Sequence, residues 1–512
     1  MQNAATETDE SLFGLIRSRM PANEKVFLET ETGRRITYGD VLAASARLAH
    51  VLVLAGVEPG DRVAVQAEKS PEALLLYLAT LRTGAVYLPL NTAYTLAELD
   101  YFVGDAEPQL IVCDPAKREG VQAIAKKYAG AAVETLDPQG GGSLTAKADK
   151  APADFADVPR GENDLAAILY TSGTTGRSKG AMLTQRNLAS NALALVDYWR
   201  FTAQDVLLHA LPIYHTHGLF VATNTLLLAG GSMLFLPRFD MDAVMRLLPR
   251  ATTMMGVPTF YTRLLQHRGL TREACAHMRL FISGSAPLLA ETHREFEERT
   301  GHAILERYGM TETNMNTSNP YDGDRIAGTV GFPLPGVDVR VAEPDGGKKL
   351  AADEIGIIEV QGPNVFSGYW RMPEKTKAEF RDDGFFITGD IGKIDTRGYV
   401  HIVGRAKDLI ITGGFNVYPK EIETEIDALP GVVESAVVGV PHSDFGEAVT
   451  ACVVCKPDAQ LSEKDVIGAL QERLAKFKLP KRVLFLPELP RNAMGKVQKN
   501  VLREQNAKLY AQ

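Results

Sequence analysis

Along the first hundred residues the apolar positions switch repeatedly between two spacings. LAASARLAHVLVLAGV and PEALLLYLATLRTG carry them at helical intervals, whereas RVAVQAE and AVYLPLN are short β-type runs. Helix alternating with strand in this way predicts a parallel sheet covered by helices. Residues 137–164 break the rhythm: DPQGGGSLTAKADKAPADF collects Pro, Gly, Ala, Ser and charge, and reads as a surface linker. The strand LAAILYTS then runs into GTTGRSKG, with a helix beginning near Thr184. A glycine-rich turn therefore stands at the carboxyl end of a strand, where open α/β sheets bind ligands.

The apolar stretch 218–236 is interrupted by Asn224, Gly230, Gly231 and Ser232, and so predicts a buried helix, a turn and a strand instead of a bilayer span. The alternation continues to about Cys275. MRLFISGSAPL and ILERYGMTET then each read as a strand ending in a small-residue turn, the kind of loop that builds sites. From about Gly328 the short strands of GTVGFPLPGVDVRV, GIIEVQG and YVHIVG predict a β subdomain, and helix–strand alternation resumes after Gly404. The expected fold class is α/β: a large N-terminal domain of layered α/β subdomains with a small β subdomain (1–403), a boundary at 404–408, and a small α+β C-terminal domain (409–512).

Composition narrows the class. With 45% apolar and 23% charged residues over 512 positions, the chain is neither disordered nor a single small module. The balance of 55 Lys and Arg against 63 Asp and Glu gives −8, which excludes a chain-wide nucleic-acid or anionic-membrane surface. Within it, residues 473–508 hold ten Lys or Arg and two acids, a local basic stretch. Four cysteines make no disulfide scaffold, and the CxxC at Cys452 and Cys455 lies in a β-branched run, AVTACVVCKP, which gives it a packing role. The polar, acidic start MQNAATETDE resembles no signal or transit peptide, so the cytoplasm is the expected location.

The densest chemistry is YTSGTTGRSKG at 170–180: three glycines, five Ser or Thr residues and Lys179 within eleven positions. Backbone N–H groups, hydroxyls and an ammonium in a flexible turn are what a polyphosphate requires. It is not a Walker A loop, because Arg177 and Ser178 separate Gly176 from Lys179. This segment resembles the signature of the adenylate-forming superfamily of acyl-CoA synthetases, luciferases and peptide-synthetase adenylation domains. Further motifs follow in the same order: SGSAPL at 283–288, YGMTE at 308–312, TGD at 388–390, GRAKDLI at 404–410, GGFNVYPKEIE at 413–423 and PRNAMGK at 490–496. The resemblance covers nearly the whole chain.

The resemblance implies ATP, Mg²⁺ and coenzyme A as cofactors or co-substrates. Thr171, Ser172, Gly173, Thr174, Thr175, Gly176 and Lys179 would hold phosphates, Glu312 would hold the magnesium with help from Thr311, and Tyr308 would stack on adenine. Asp390 would bind the ribose hydroxyls beside Arg405, and Ser285 would touch both nucleotide and acid. Lys496 would reach the acid's carboxylate and the α-phosphate, with Lys179 and Glu312 completing the catalytic set. A carboxylate attacking ATP needs no general base, being already ionised near neutral pH; the difficulty is bringing anions together, which positive groups must relieve. Lys407 would be the hinge pivot, exchanging the Lys496 loop for the CoA-facing Gly413 and Gly414. In similar synthetases the equivalent of Lys496 is switched off by acylation, implying an acetyltransferase and deacetylase as partners.

The acid itself is read from the segments expected to line its pocket: PIYHTHG with His215 and His217, GVPTFYTRLL, SGSAPL, and YGMTE with Met310. An arginine facing an acyl pocket excludes plain fatty acids and favours a second carboxylate. Arg263 is the first candidate and Arg279 the second. The segments VPTFYTRLL, RLFISGSAPL and ERYGMTETNMNTS are similar to those of malonyl-CoA synthetases, implying malonate, then methylmalonate. A monocarboxylate CoA ligase and a stand-alone adenylation enzyme loading a carrier protein stay open as alternatives.

Overall fold

The structure is a computed structural model that describes residues 9–128, 130–171, 178–413, 415–471, 473–492 and 495–510. PEALLLYLATLRTG forms the helix Pro71–Arg82, and its sequence is apolar on every side because all 12 of its residues are buried. Ser70 caps its N-terminus and Pro71 opens it, a pairing that suits the first helical turn. Tyr77 from this helix meets Tyr87 of one sheet and Phe220 of a helix that follows a strand of the other. One apolar cluster thus joins both sheets.

The first sheet has seven strands, ordered Gly368–Tyr369, Lys179–Thr184, Leu165–Thr171, Val86–Pro89, Arg62–Gln66, Leu110–Cys113, Ala132–Thr135. Its five strands from Leu165–Thr171 onward run parallel. The second sheet has nine strands with a parallel centre that includes Val206–His209, Thr253–Gly256, Leu280–Ser283 and Leu305–Met310. Both strands expected to end in site-building turns, those of SGSAPL and YGMTE, are neighbours here, with Ser283 opposite Glu306. The β subdomain is a four-stranded antiparallel sheet from Asp338–Ala342 to Val400–Arg405.

One expectation, the linker, needs correction, and two other segments gain detail; the helix expected near Thr184 does begin there, at Gln185. Residues after the glycine-rich segment form a strand, Lys179–Thr184, antiparallel to Leu165–Thr171, and the helix Gln185–Tyr198 follows it. KGAMLT is short and half apolar, and only its cross-strand partner makes it a strand. The supposed linker is stitched down: Asp157 takes Arg82 Nε at 2.5 Å, Phe155 packs edge-on against the ring of His50, and Ser143–Ala148 is helical. The basic stretch 473–508 is largely neutralised within its own domain, through Arg473–Glu425, Lys478–Glu421, Arg482–Glu463, Lys499–Glu423 and Arg491–Glu434.

After Arg405 a 3-10 turn, Ala406–Asp408, leads into a five-stranded sheet with apolar clusters of its own. Arg503 of the last helix grips Asp408 at 2.5 Å. Cys452 is buried and Cys455 half-buried in the strand Gly446–Cys455, and both are free thiols. Among the described residues no helix is long and apolar enough to cross a membrane.

Candidate active site

At one end of the cleft, Asp390 and Arg405 face each other across the antiparallel pair Phe386–Ile394 and Val400–Arg405. Arg405 Nε donates to Asp390 Oδ1 at 2.6 Å, and the Tyr308 hydroxyl donates to Oδ2. The carboxylate raises the pKa of Arg405, while burial and then the same carboxylate push the Tyr308 phenol up. Of the residues expected at the nucleoside, these three are brought together, with the Tyr308 hydroxyl serving as a donor to the acid.

Next to them Thr171 stands opposite Lys179, the last pair of the two strands before residues 172–177. Ser172, Gly173, Thr174, Thr175 and Gly176 lie outside the described residues. Lys179 is buried, 4.0 Å from the Tyr369 ring centre and 3.2 Å from Glu379 Oε1. The Tyr369 hydroxyl lies 2.6 Å from Glu379 Oε2 and 3.0 Å from Glu312 Oε1. Glu312 is buried and its pKa raised chiefly by that burial, with Tyr369, Arg405 and Lys179 opposing. A buried carboxylate with few donors suits a hard cation. Thr311 is half-buried beside it.

The third part of the cleft surrounds a buried arginine absent from the expected substrate residues. Arg307 is 4% exposed, and its Nε and Nη2 have no hydrogen-bond partner. Its guanidinium lies flat on Gly284: a β-carbon there would stand 2.4 Å from Arg307 Cζ, so only glycine leaves room. Ser283 Oγ and His217 Nε2 are also buried without partners, and His217 Nδ1 sits 3.2 Å from Ser285 Oγ. Ser285 is held at φ 71°, a strained setting for a residue other than glycine. Met310 is half-buried at the end of the same strand as Arg307. Orphaned donors and acceptors on residues grouped around Ser283–Ser285 fit a polar, anionic ligand.

Burial drives the pKa of Arg307 down to about 9, leaving it cationic at neutral pH. Burial, then Arg307, then Lys496 lower His215 to about 4, and burial and Arg307 hold His217 well below the ordinary value. Both imidazoles are therefore neutral in the working range. A histidine whose folded pKa is depressed contributes its full share of stability above about pH 6.5, and that share is lost as pH falls toward 4. Unfolding measured in urea at pH 7 and pH 5 is expected to show a loss of about 1 to 2 kcal/mol traceable to His215, and His215→Asn should flatten that slope.

Lys496 enters from the C-terminal domain. A β-carbon on Gly495 would lie 3.4 Å from Thr259 Oγ1, which brings the Lys496 loop against the helix Pro258–Gln266. Lys496 keeps solvent exposure, yet crowding by protein and then Arg405 lower its pKa, with Asp390 opposing. Lys407 is exposed in the 3-10 turn. Gly413, at φ 55°, is exposed and donates to Phe445 O, whereas Gly414 lies outside the described residues.

The two arginines expected to hold the acid fare differently. Arg279 is committed elsewhere: its Nε and Nη2 reach Asp205 at 2.7 and 2.8 Å and its Nη1 donates to Trp199 O, a structural clamp in place of the expected pocket role. Arg263 is exposed, one helical turn beyond Thr259, with its guanidinium 6.0 Å from the Phe239 ring centre. Arg263 is thus open to solvent, whereas Arg307 is buried. An arginine inside a strand reading LERYGM is a costly choice for a central sheet, and that was its signal.

Residues 17–370 match the AMP-binding enzyme family, and residues 421–496 match the AMP-binding enzyme C-terminal domain. The chain belongs to the AMP-binding enzyme family. The crystal structure of ATP-bound MatB from Rhodopseudomonas palustris is similar throughout, with 66% identity, a TM-score of 0.97, and coverage of 98% of this chain and 100% of that one. Apo MatB from the same organism, at the same identity, superposes with a TM-score of 0.86. The malonate--CoA ligase of Arabidopsis thaliana is 36% identical over 478 residues, which are 87% of this chain and 78% of that protein. A feruloyl-CoA synthase from Amycolatopsis is 36% identical over 476 residues, 92% of this chain and 94% of its own length.

Proposed function

We propose that the protein is an ATP-dependent acid–thiol ligase that activates malonate, and methylmalonate after it, through an acyl-adenylate to the CoA thioester, AMP and pyrophosphate. The observation that carries the malonate reading is the buried guanidinium of Arg307, whose Nε and Nη2 have no hydrogen-bond partner. An acid with an apolar tail would leave that cation unmatched, whereas a second carboxylate supplies a two-oxygen partner for it. The 66% identity with MatB and the malonate--CoA ligase relative support the same substrate.

In this reading one carboxylate of malonate is held by Arg307, with Ser285 and His217 beside it, and the other points toward the Lys496 ammonium. Asp390 receives the ribose hydroxyls next to Arg405, and Lys179 meets the outer phosphates. Magnesium, when bound, neutralises phosphate charge, and Glu312 is the carboxylate that would hold it. The neutral histidines take no proton, and none needs removing from an ionised acid. Lys496 and Arg405 oppose the negative charge gathering on the α-phosphate, so catalysis is mainly electrostatic. The closer likeness to ATP-bound than to apo MatB supports reading this domain arrangement as the adenylating one. Rotation about Lys407 would then withdraw Lys496 and bring Gly413 and Gly414 to the CoA thiol. The exposure of Lys496 also leaves it open to acylation, which would remove its charge.

The test is a coupled assay with purified protein. Malonate, ATP and Mg²⁺ should release pyrophosphate, and thioester should form only when CoA is added. Thioester without pyrophosphate release would contradict the adenylate route.

A further inference from the structure

Lys179 is buried, and a buried ammonium needs a counter-charge. It finds one in Glu379, 3.2 Å away, and an aromatic face in Tyr369. Glu379 immediately follows the helix Pro373–Ala378, and Lys375, four residues earlier, holds the same Oε1 at 2.7 Å. The other oxygen, Oε2, accepts from the Tyr369 hydroxyl at 2.6 Å. Of its three partners, Glu379 therefore holds Lys179 at the longest distance. If Lys179 turned away, Glu379 would keep two donors and would not be stranded.

We propose that Glu379 is a positioning residue that holds the Lys179 ammonium in the nucleotide-free enzyme and yields it to the triphosphate, with Lys375 keeping Glu379 paired as it does so. The inference rests on the reading that Lys179 meets the phosphates of ATP. A triphosphate offers Lys179 several anionic oxygens against one shared carboxylate oxygen, so the exchange favours the ligand, but only because Lys375 removes the penalty of leaving Glu379 behind. Glu379 thus weakens nucleotide binding and Lys375 restores it. During product release the same carboxylate competes with pyrophosphate for Lys179.

The experiment is calorimetric titration of the full-length protein with a non-hydrolysable Mg·ATP analogue. Glu379→Gln keeps the shape and the Tyr369 hydrogen bond, and is expected to bind roughly three- to ten-fold tighter. Lys375→Met leaves Glu379 more dependent on Lys179, and is expected to bind roughly three- to ten-fold weaker. The double variant should match Glu379→Gln alone, because Lys375 acts through Glu379. Weaker or unchanged binding by Glu379→Gln, or strictly additive effects in the double variant, would overturn the proposal; additivity would mark two independent charges near the ligand. Should Glu379→Gln fold poorly, Lys375→Met decides alone, with unchanged affinity counting against. Lys179→Met separates the two levels: nucleotide binding indifferent to it removes the phosphate reading itself, whereas weakened binding there with no gain in Glu379→Gln removes only the role of Glu379.

Discussion

Lys496→Ala is expected to slow pyrophosphate release by about 10²- to 10³-fold while leaving conversion of supplied malonyl-adenylate to thioester near the wild-type rate. The asymmetry follows from where the ammonium sits. Its loop is braced by Arg491, which donates to Gly495 O at 2.5 Å and pairs with Glu434, and the Lys496 N–H is anchored on Asn492 Oδ1 at 3.0 Å. These anchors place the charge near Asp390, Arg405 and His215, where the proposed mechanism gathers negative charge during adenylation. In the proposed mechanism the second half-reaction expels AMP from an adenylate already formed, with the loop withdrawn. Single-turnover pyrophosphate release and thioester formation, measured separately, distinguish the two. Equal losses in both would mean that Lys496 maintains the fold or the nucleotide pocket as a whole.

Arg307→Met is expected to lower kcat/KM for malonate by about 10²- to 10³-fold and at the same time to raise the stability of the ligand-free protein by about 1 to 3 kcal/mol. Function and stability should move in opposite directions because the ligand-free site buries a cation with two orphaned nitrogens. Methionine fills similar volume, lies against Gly284 and asks for no partner. The loss of malonate binding removes a charge-assisted pair that no neighbouring donor can replace. Urea unfolding without ligand reads the gain in stability, and steady-state kinetics the loss of kcat/KM. A variant that is destabilised and still prefers malonate would return Arg307 to a structural role and move the search to the exposed Arg263.

The sequence made the large pattern legible because periodicity is a local property. Pro71–Arg82, Leu165–Thr171 and Leu305–Met310 all stand where their apolar spacing puts them. Lys179–Thr184 was illegible because its strand character comes from a partner, not from its own residues. Asp390 and Arg405 were found through motifs, and the register that joins them became visible only when their strands paired. Arg279 misled because an arginine before a turn looks the same whether it faces a pocket or Asp205; only the partner's position separates the two. Arg307 sat inside a quoted motif, yet its meaning depends on burial and on the closeness of Gly284, neither of which a linear string carries. Tyr369 and Glu379 come from a different segment than Lys179 and gave no signal of joining it.

The most direct measurement is the rate of ATP- and CoA-dependent thioester formation by the wild-type protein with acetate, butyrate, octanoate, malonate, methylmalonate and succinate at matched concentrations. The buried guanidinium predicts malonate first, methylmalonate next, and the three monocarboxylates slower by at least about ten-fold. A monocarboxylate preferred over malonate would contradict the assignment of Arg307 as the anchor of a second carboxylate.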